Sequence, residues 1–562
     1  MKRSFPVLAA LVLVALASEA AAGSVPIRAR NAMASSQNAI ASQIGLEAML
    51  AGGNAVDGAV ATAFALAVVH PEAGNIGGGG FLLARAKDGT AVLYDFREQA
   101  PAAASATMFL KDGRYDRERH HQGALAVGVP GTVAGLYRAW SDAGRMPWKE
   151  LLRPAITLAR DGFMVSDGLA RALRDELPRM KAYPASIAQF SRAGVPYETG
   201  DVLKQKDLAQ TLERIAESGI RGFYDGETAA LIEREMKARG GLITREDLKN
   251  YAVYRRPVLR GTYRGYEVLT APPPSSGGTC LLQSLNVLEG YDLKAMGFGS
   301  SRYLHHVAET LQRAFADRAR YLGDPGFVKD LPVERLISKE YAASLRRTIP
   351  ESRASVSSPA SFEWPAEGDD TTHFSVVDTE GGAVALTYTL EDSYGSRIVV
   401  PGAGFLLNNE MGDFNAGPGL TDETGLIGTE PNLAAPGKRM LSNMTPTMLV
   451  KDARAALVVG AAGGRKIPGT VLQILLGVVD FGMNVQEAID APRINHQWLP
   501  DVILHEPFGL SSDTKAALRA LGHKVEERPA GEWSRAHGIA WNDGMLEGGS
   551  DRRRPDGAAI GR

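Results

Sequence analysis

Asp369-Asp370-Thr371-Thr372-His373-Phe374-Ser375 stands past the middle of this 562-residue chain, between two stretches of different texture. A tract rich in Ser, Pro and Ala (351–368) precedes it. After it, segments 374–378 and 383–390, rich in β-branched residues, flank Thr379-Glu380-Gly381-Gly382, which is the signature of a β-hairpin. A Thr-Thr pair entering a strand directly after an acidic, pliable tract marks a place where a chain is cut. A cut before Thr371 would give an N-terminal threonine whose hydroxyl serves as nucleophile and whose own α-amine serves as base. The same two residues also read as ordinary β-formers at a sheet edge, so the rest of the chain must decide.

The composition, 44% hydrophobic and 22% charged, is that of a globular protein with ample apolar material for a core. Length alone leaves room for three or four domains. A formal net charge of -2 and a pI near 6.6 supply no basic excess for nucleic acid or an anionic membrane surface. Lys2, Arg3, the apolar stretch 6–17 and Ala20-Ala21-Ala22 read as a secretory signal over 1–22, so the mature protein is expected in the periplasm or secreted. That apolar stretch is too short to span a bilayer comfortably; the alternative is an uncleaved anchor. Cys280 is the only cysteine, which excludes an intrachain disulfide. Entering an apolar helical run, it reads as a buried structural thiol.

From 23 to about 70 the pattern gives two helices, the second apolar nearly all round and therefore buried. Gly74-Asn75-Ile76-Gly77-Gly78-Gly79-Gly80-Phe81 fits neither G-x-G-x-x-G nor a Walker loop. Its glycines imply close backbone packing or unusual dihedrals. Strands at 81–84 and 91–95 follow, and Asp95-Phe96-Arg97-Glu98 ends the second with a charged cluster in which the planar fork of Arg97 suits a carboxylate. Residues 130–345 read mostly as helices, among them 148–161, 206–218 and 302–321, with a return to strand at 251–270. Beyond the Thr-Thr pair, short strands predominate: 374–378, 383–390, 404–409, 446–451 and 455–460. A Gly- and Pro-rich loop (415–439), an apolar helix at 468–482, a helix at 512–521 and a final pair of strands complete the chain. Helices, then sheet, then helices imply layers around an antiparallel sheet.

The run 371–378, continued by Thr387-Tyr388-Thr389-Leu390-Glu391 and Tyr394-Gly395, resembles the signature of γ-glutamyltranspeptidases, and of their exported bacterial members in particular. The likeness continues in order through 74–81, 96–98, 128–135, 272–278, 321–325, 408–414, 438–447, Gly463-Gly464 and 550–557. It implies an α+β fold, that of an N-terminal nucleophile hydrolase with four αββα layers. Self-cleavage between Asp370 and Thr371 would leave a large chain of about 23–370 and a small catalytic chain of 371–562, intertwined in one heterodimer. The implied activity is that of a γ-glutamyltransferase and glutathione hydrolase. Glutathione and other γ-glutamyl compounds would be donors, and water, amino acids or dipeptides acceptors; no cofactor and no metal is implied.

Carried over residue by residue, Thr371 is the nucleophile, Thr389 its hydrogen-bonding neighbour, and the Gly463 and Gly464 N–H groups the oxyanion hole. Arg97 and Ser442 match the binders of the donor's α-carboxylate; Glu391, Glu410 and Asp413 match the positions that hold its α-ammonium. Three positions depart from the usual pattern. Glu391 stands where many members have Asn, Asn443 where a second Ser usually follows Ser442, and Thr424 where lid loops often carry an aromatic residue. The runner-up is an acylase of the same fold acting on glutaryl-type amides such as cephalosporin precursors; a glutaryl donor lacks the ammonium, so three acids favour the first reading. An exported binding protein with a degenerate site is disfavoured by the intact Thr371, Thr389, Gly463 and Gly464. No G-x-S-x-G supports a serine hydrolase, and no H-E-x-x-H a zinc hydrolase.

Overall fold

Two seven-stranded sheets, each antiparallel throughout, lie face to face between two layers of helices in the computed structural model, which describes residues 23–357, 370–420 and 428–562. The expected signal, most of the tract before Thr371, and Thr424 lie outside the described residues.

One sheet runs in the order Tyr254–Arg256, Ala91–Phe96, Gly79–Arg85, Ala383–Glu391, Asp370–Val377, Met33–Ser36, Ala558–Gly561. The other runs Ile27–Ala29, Met545–Ser550, Arg535–Asn542, Arg454–Ala462, Thr447–Lys451, Tyr266–Thr270, Leu259–Tyr263. Strands from both sides of Thr371 thus lie within each sheet. The period-2 alternation of a strand explains the layers. Phe374, Val376, Val384, Leu386 and Tyr388 face helices, including Ala39–Leu50 and Ala55–Val69. Val377, Ala383 and Ala385, on the opposite face, meet Leu269, Met448 and Val458 of the second sheet. The second sheet turns Leu449, Leu457 and Val459 towards helices Gly277–Leu288, Ser301–Tyr321 and Lys466–Val479. This is the four-layer αββα sandwich.

The glycine run serves close packing. A Cβ on Gly78 would stand 1.9 Å from the Thr389 carbonyl oxygen, and one on Gly80 2.2 Å from that of Thr387. Only a bare backbone lets strand Gly79–Arg85 lie against the strand that carries Thr389. Helix Ala55–Val69 is buried along its whole length and starts from a capping box between Asn54 and Asp57. Cys280 is buried among apolar neighbours, which pushes its thiol pKa up to about 12, and so behaves as a structural residue.

Several expectations need correction. Residues 404–409 are not a strand; only an isolated bridge joins Val399 to Leu406, because the segment wraps over helix Lys206–Ser218 instead of joining a sheet. Two short strands precede the first helix. The C-terminus supplies four strands in place of a pair, two to the second sheet, one to the first and one to a small separate sheet. The strand expected at 374 begins at Asp370, so Thr371 lies within the sheet.

Candidate active site

Thr371 and Thr389 face each other across the central hairpin, their hydroxyl oxygens 3.4 Å apart. Thr389 Oγ1 also accepts the Glu391 N–H at 2.9 Å. The pairing slips at this point: Thr371 pairs with Thr389 but Asp370 with Glu391, leaving Leu390 as the extra residue of a bulge beside the Asp370–Thr371 bond. Glu391 has φ +80°, a left-handed conformation costly for a residue with a Cβ and tolerated where the surroundings over-determine it.

Every catalytic and binding position named from the sequence except Gly463 lines one small cavity, with Met444 and Ile467 as apolar walls. A wider cleft carries Arg171, Arg179, Arg552 and Arg554, which pair with Asp167, Glu176, Asp490 and Glu72; no threonine or cysteine lines it.

Arg97 is fully buried and forms ion pairs with Glu410 and Asp413, with Glu98 3.5 Å away. Its backbone N–H donates to Asp95, whose carboxylate also pairs with Arg439 at 2.5 Å, so the strand end is pinned from below. Burial by itself would lower the Arg97 pKa; the attraction of Glu410, Asp413 and Glu98 overrides it and raises it. Burial likewise pushes the Glu98 carboxyl up, to about 8, against the attraction of Arg97. It also raises Glu410 well above the carboxylate range, with Glu98 and Glu391 adding repulsion. Three acids share one guanidinium, and burial keeps protons on Glu98 and Glu410 that a single cation cannot displace.

Glu391 is held by the Asn409 side-chain amide and lies 3.4 Å from His121 Nδ1. Ser442 Oγ accepts the Met444 N–H at 3.1 Å. Its main chain is clamped by the 272–276 turn: Ser442 N–H donates to Pro274, and its carbonyl accepts from the N–H and hydroxyl of Ser276. The Pro-rich turn expected only to precede a helix therefore also fixes one wall of the site. Strand Arg454–Ala462 runs directly into Gly463 (φ +127°) and Gly464 (φ +52°), after which helix Lys466–Val479 begins. A Cβ on Gly463 would stand 2.4 Å from Ser534 Oγ. The positive end of that helix faces the cavity rim, a setting that suits a developing negative charge.

Glu98, His121, Asn409 and Ser276 were not singled out as site residues from the sequence. Glu98 adjoins Arg97 in the charged strand end, Asn409 adjoins Glu410 and Ser276 lies in the 272–278 run, so each had a local signal; His121 is brought in by a contact across a long separation, which no local pattern records.

A γ-glutamyltranspeptidase family model matches residues 41–561. The glutathione hydrolase proenzyme of Escherichia coli (strain K12) is 46% identical over 544 residues, covering 95% of this chain and 93% of that one. Among solved structures, a cephalosporin acylase from Bacillus halodurans superposes with a TM-score of 0.84 at 27% identity over 100% of this chain and 99% of that one. A γ-glutamyltranspeptidase from Helicobacter pylori is 45% identical with a TM-score of 0.56, covering 56% of this chain and 91% of that one.

Proposed function

The chain belongs to the γ-glutamyltranspeptidase family, and on that premise we propose how this cavity performs the family's reaction: a γ-glutamyltransferase and glutathione hydrolase with Thr371 as its nucleophile. The observation that carries the assignment is the meeting of Thr371 and Thr389 with the Arg97–Glu410–Asp413 cluster in a single cavity.

Maturation comes first. Thr371 Oγ attacks the Asp370 carbonyl, the peptide bond gives way to an ester, and water hydrolyses it, freeing the Thr371 α-amine. The bulge beside this bond supports the reading, because it sets the chain out of ladder register where the attack must occur. A free α-amine titrates near 7.7–8.0 in model compounds, so part of it is unprotonated at neutral pH and able to take the hydroxyl proton. An internal Thr371 has no such base, which couples activity to cleavage. That 91% of the Helicobacter pylori relative's chain aligns to only 56% of this one is in keeping with a two-chain product.

In turnover, Thr371 Oγ attacks the donor's γ-carbonyl, and the N–H groups of Gly463 and Gly464 receive the oxyanion. The leaving amine departs with the proton, and the γ-glutamyl ester passes to water or to an amino acid or peptide. The donor's α-carboxylate would exchange with Glu410 and Asp413 for the Arg97 fork and bond Ser442 and Asn443. Its α-ammonium would be met by Glu391, Glu410 and Asp413, and the arriving cation would favour loss of the proton that burial holds on Glu410. Residues 1–22 would direct the protein to the periplasm or the medium; among the described residues no helix is long and apolar enough to cross a membrane.

A glutaryl-type acylase is the second reading, favoured by the acylase superposition and by Asn443. Intact-mass measurement paired with release of a γ-glutamyl anilide separates them. Two fragments breaking before Thr371, with anilide release, are expected. Cleavage without γ-glutamyl turnover would select the acylase, and an uncut but active chain would overturn the mechanism.

A further inference from the structure

His305 and Glu309 sit one helical turn apart on Ser301–Tyr321 and so share a face. His523 lies just beyond helix Ser512–Ala520. The three are buried, and one ligating atom of each lies within 4.8 Å of the others. The ten histidines are scattered in the sequence, so only the fold makes this cluster.

We propose that His305, Glu309 and His523 bind a divalent transition-metal ion of the zinc class, at a site apart from the cavity of Thr371. The donor set of two imidazoles and one carboxylate is that of a zinc centre with a fourth position for water.

The surroundings prepare these atoms as ligands. His305 Nε2 donates to the Pro350 carbonyl at 2.7 Å, which fixes the tautomer and leaves the Nδ1 lone pair facing His523 Nε2 at 2.8 Å. Imidazole ligands are oriented by this kind of bond from the far ring nitrogen. Glu309 accepts the Ser355 N–H at 2.7 Å, the Ser355 hydroxyl at 2.6 Å and Arg313 Nη1 at 2.8 Å. A carboxylate has about four lone-pair positions, so one remains. Two ring nitrogens on a tetrahedral zinc are ~3.3 Å apart, so the pair opens by roughly half an ångström to admit the ion. Without an ion the contact is a simple hydrogen bond, His523 Nε2–H to His305 Nδ1, and the two states are separable by experiment. With the ion, segment 350–355 is tied through His305 and Glu309 to the C-terminal layer.

The test uses the full-length, tag-free protein, stripped with EDTA and titrated with zinc chloride by calorimetry, with metal content read by mass spectrometry. One zinc per chain is expected, with affinity lowered roughly 100-fold or more in His523→Asn and Glu309→Gln. Added zinc raises the Tm of the wild type only, and γ-glutamyl anilide turnover is the same in wild type and variants. Wild-type protein that takes up no zinc, or variants that take up as much as the wild type, would overturn the proposal. If a variant fails to fold, cobalt on the wild type decides: visible d–d bands of a low-coordinate nitrogen- and oxygen-ligated ion support the site, and their absence at equimolar cobalt refutes it.

Discussion

Thr371 and Thr389 are directly opposed on neighbouring strands with their hydroxyls 3.4 Å apart, so the hydroxyl proposed as nucleophile is already oriented while Thr371 is still an internal residue. Thr371→Ala should leave a single uncut chain with no anilide release. Thr389→Ala should retain both cleavage and turnover at a rate lowered about tenfold, since one hydrogen bond of ~1–1.5 kcal/mol is lost. Time-resolved intact mass and single-turnover kinetics report the two steps; an unaffected Thr389→Ala enzyme would remove this residue from the mechanism.

Arg97 presents a bidentate fork that an ammonium cannot copy. Arg97→Lys should raise KM for a γ-glutamyl donor by about 100-fold, some 2–3 kcal/mol, with a smaller change in kcat. Arg97→Ala also leaves buried acids uncompensated and should cost about 3–5 kcal/mol of stability, read as a drop in Tm. A KM for Arg97→Lys equal to that of the wild type would place the donor's carboxylate elsewhere.

The backbone at Gly463 is left-handed and packed against Ser534. Gly463→Ala should therefore displace the N–H groups that the proposed mechanism assigns to the oxyanion. Loss of such a donor costs roughly 10²–10³ in kcat. Donor KM should change little, and a variant with full kcat would show that the oxyanion is bound by other groups.

Glu98 is buried, its carboxylate oxygens accept no hydrogen bond among the described residues, and its pKa is raised to about 8. A raised folded-state pKa gives stability that is complete below the unfolded value near 4.5 and is lost as pH rises through about 8. Wild-type stability should thus fall from pH 6 to pH 9, and Glu98→Gln, which cannot ionise, should lose on the order of 2 kcal/mol less over that interval. Parallel Tm–pH curves for the two proteins would show that Glu98 is not the titrating group.

The sequence by itself determined the hairpin, the buried second helix and the close packing of the glycine run. Those features rest on local spacing: β-branched alternation around a glycine turn, small residues where strands approach closely, and apolar positions all round a helix. The tertiary structure alone decided how strands from both sides of Thr371 interleave in two sheets, and why 404–409 stays a loop although its residues suit a strand. It alone brought His121 beside Glu391 and set His523 against His305. Such contacts join residues up to hundreds of positions apart, whose meeting follows from the packing of layers and from long-range pairing that leaves no periodic trace in the chain.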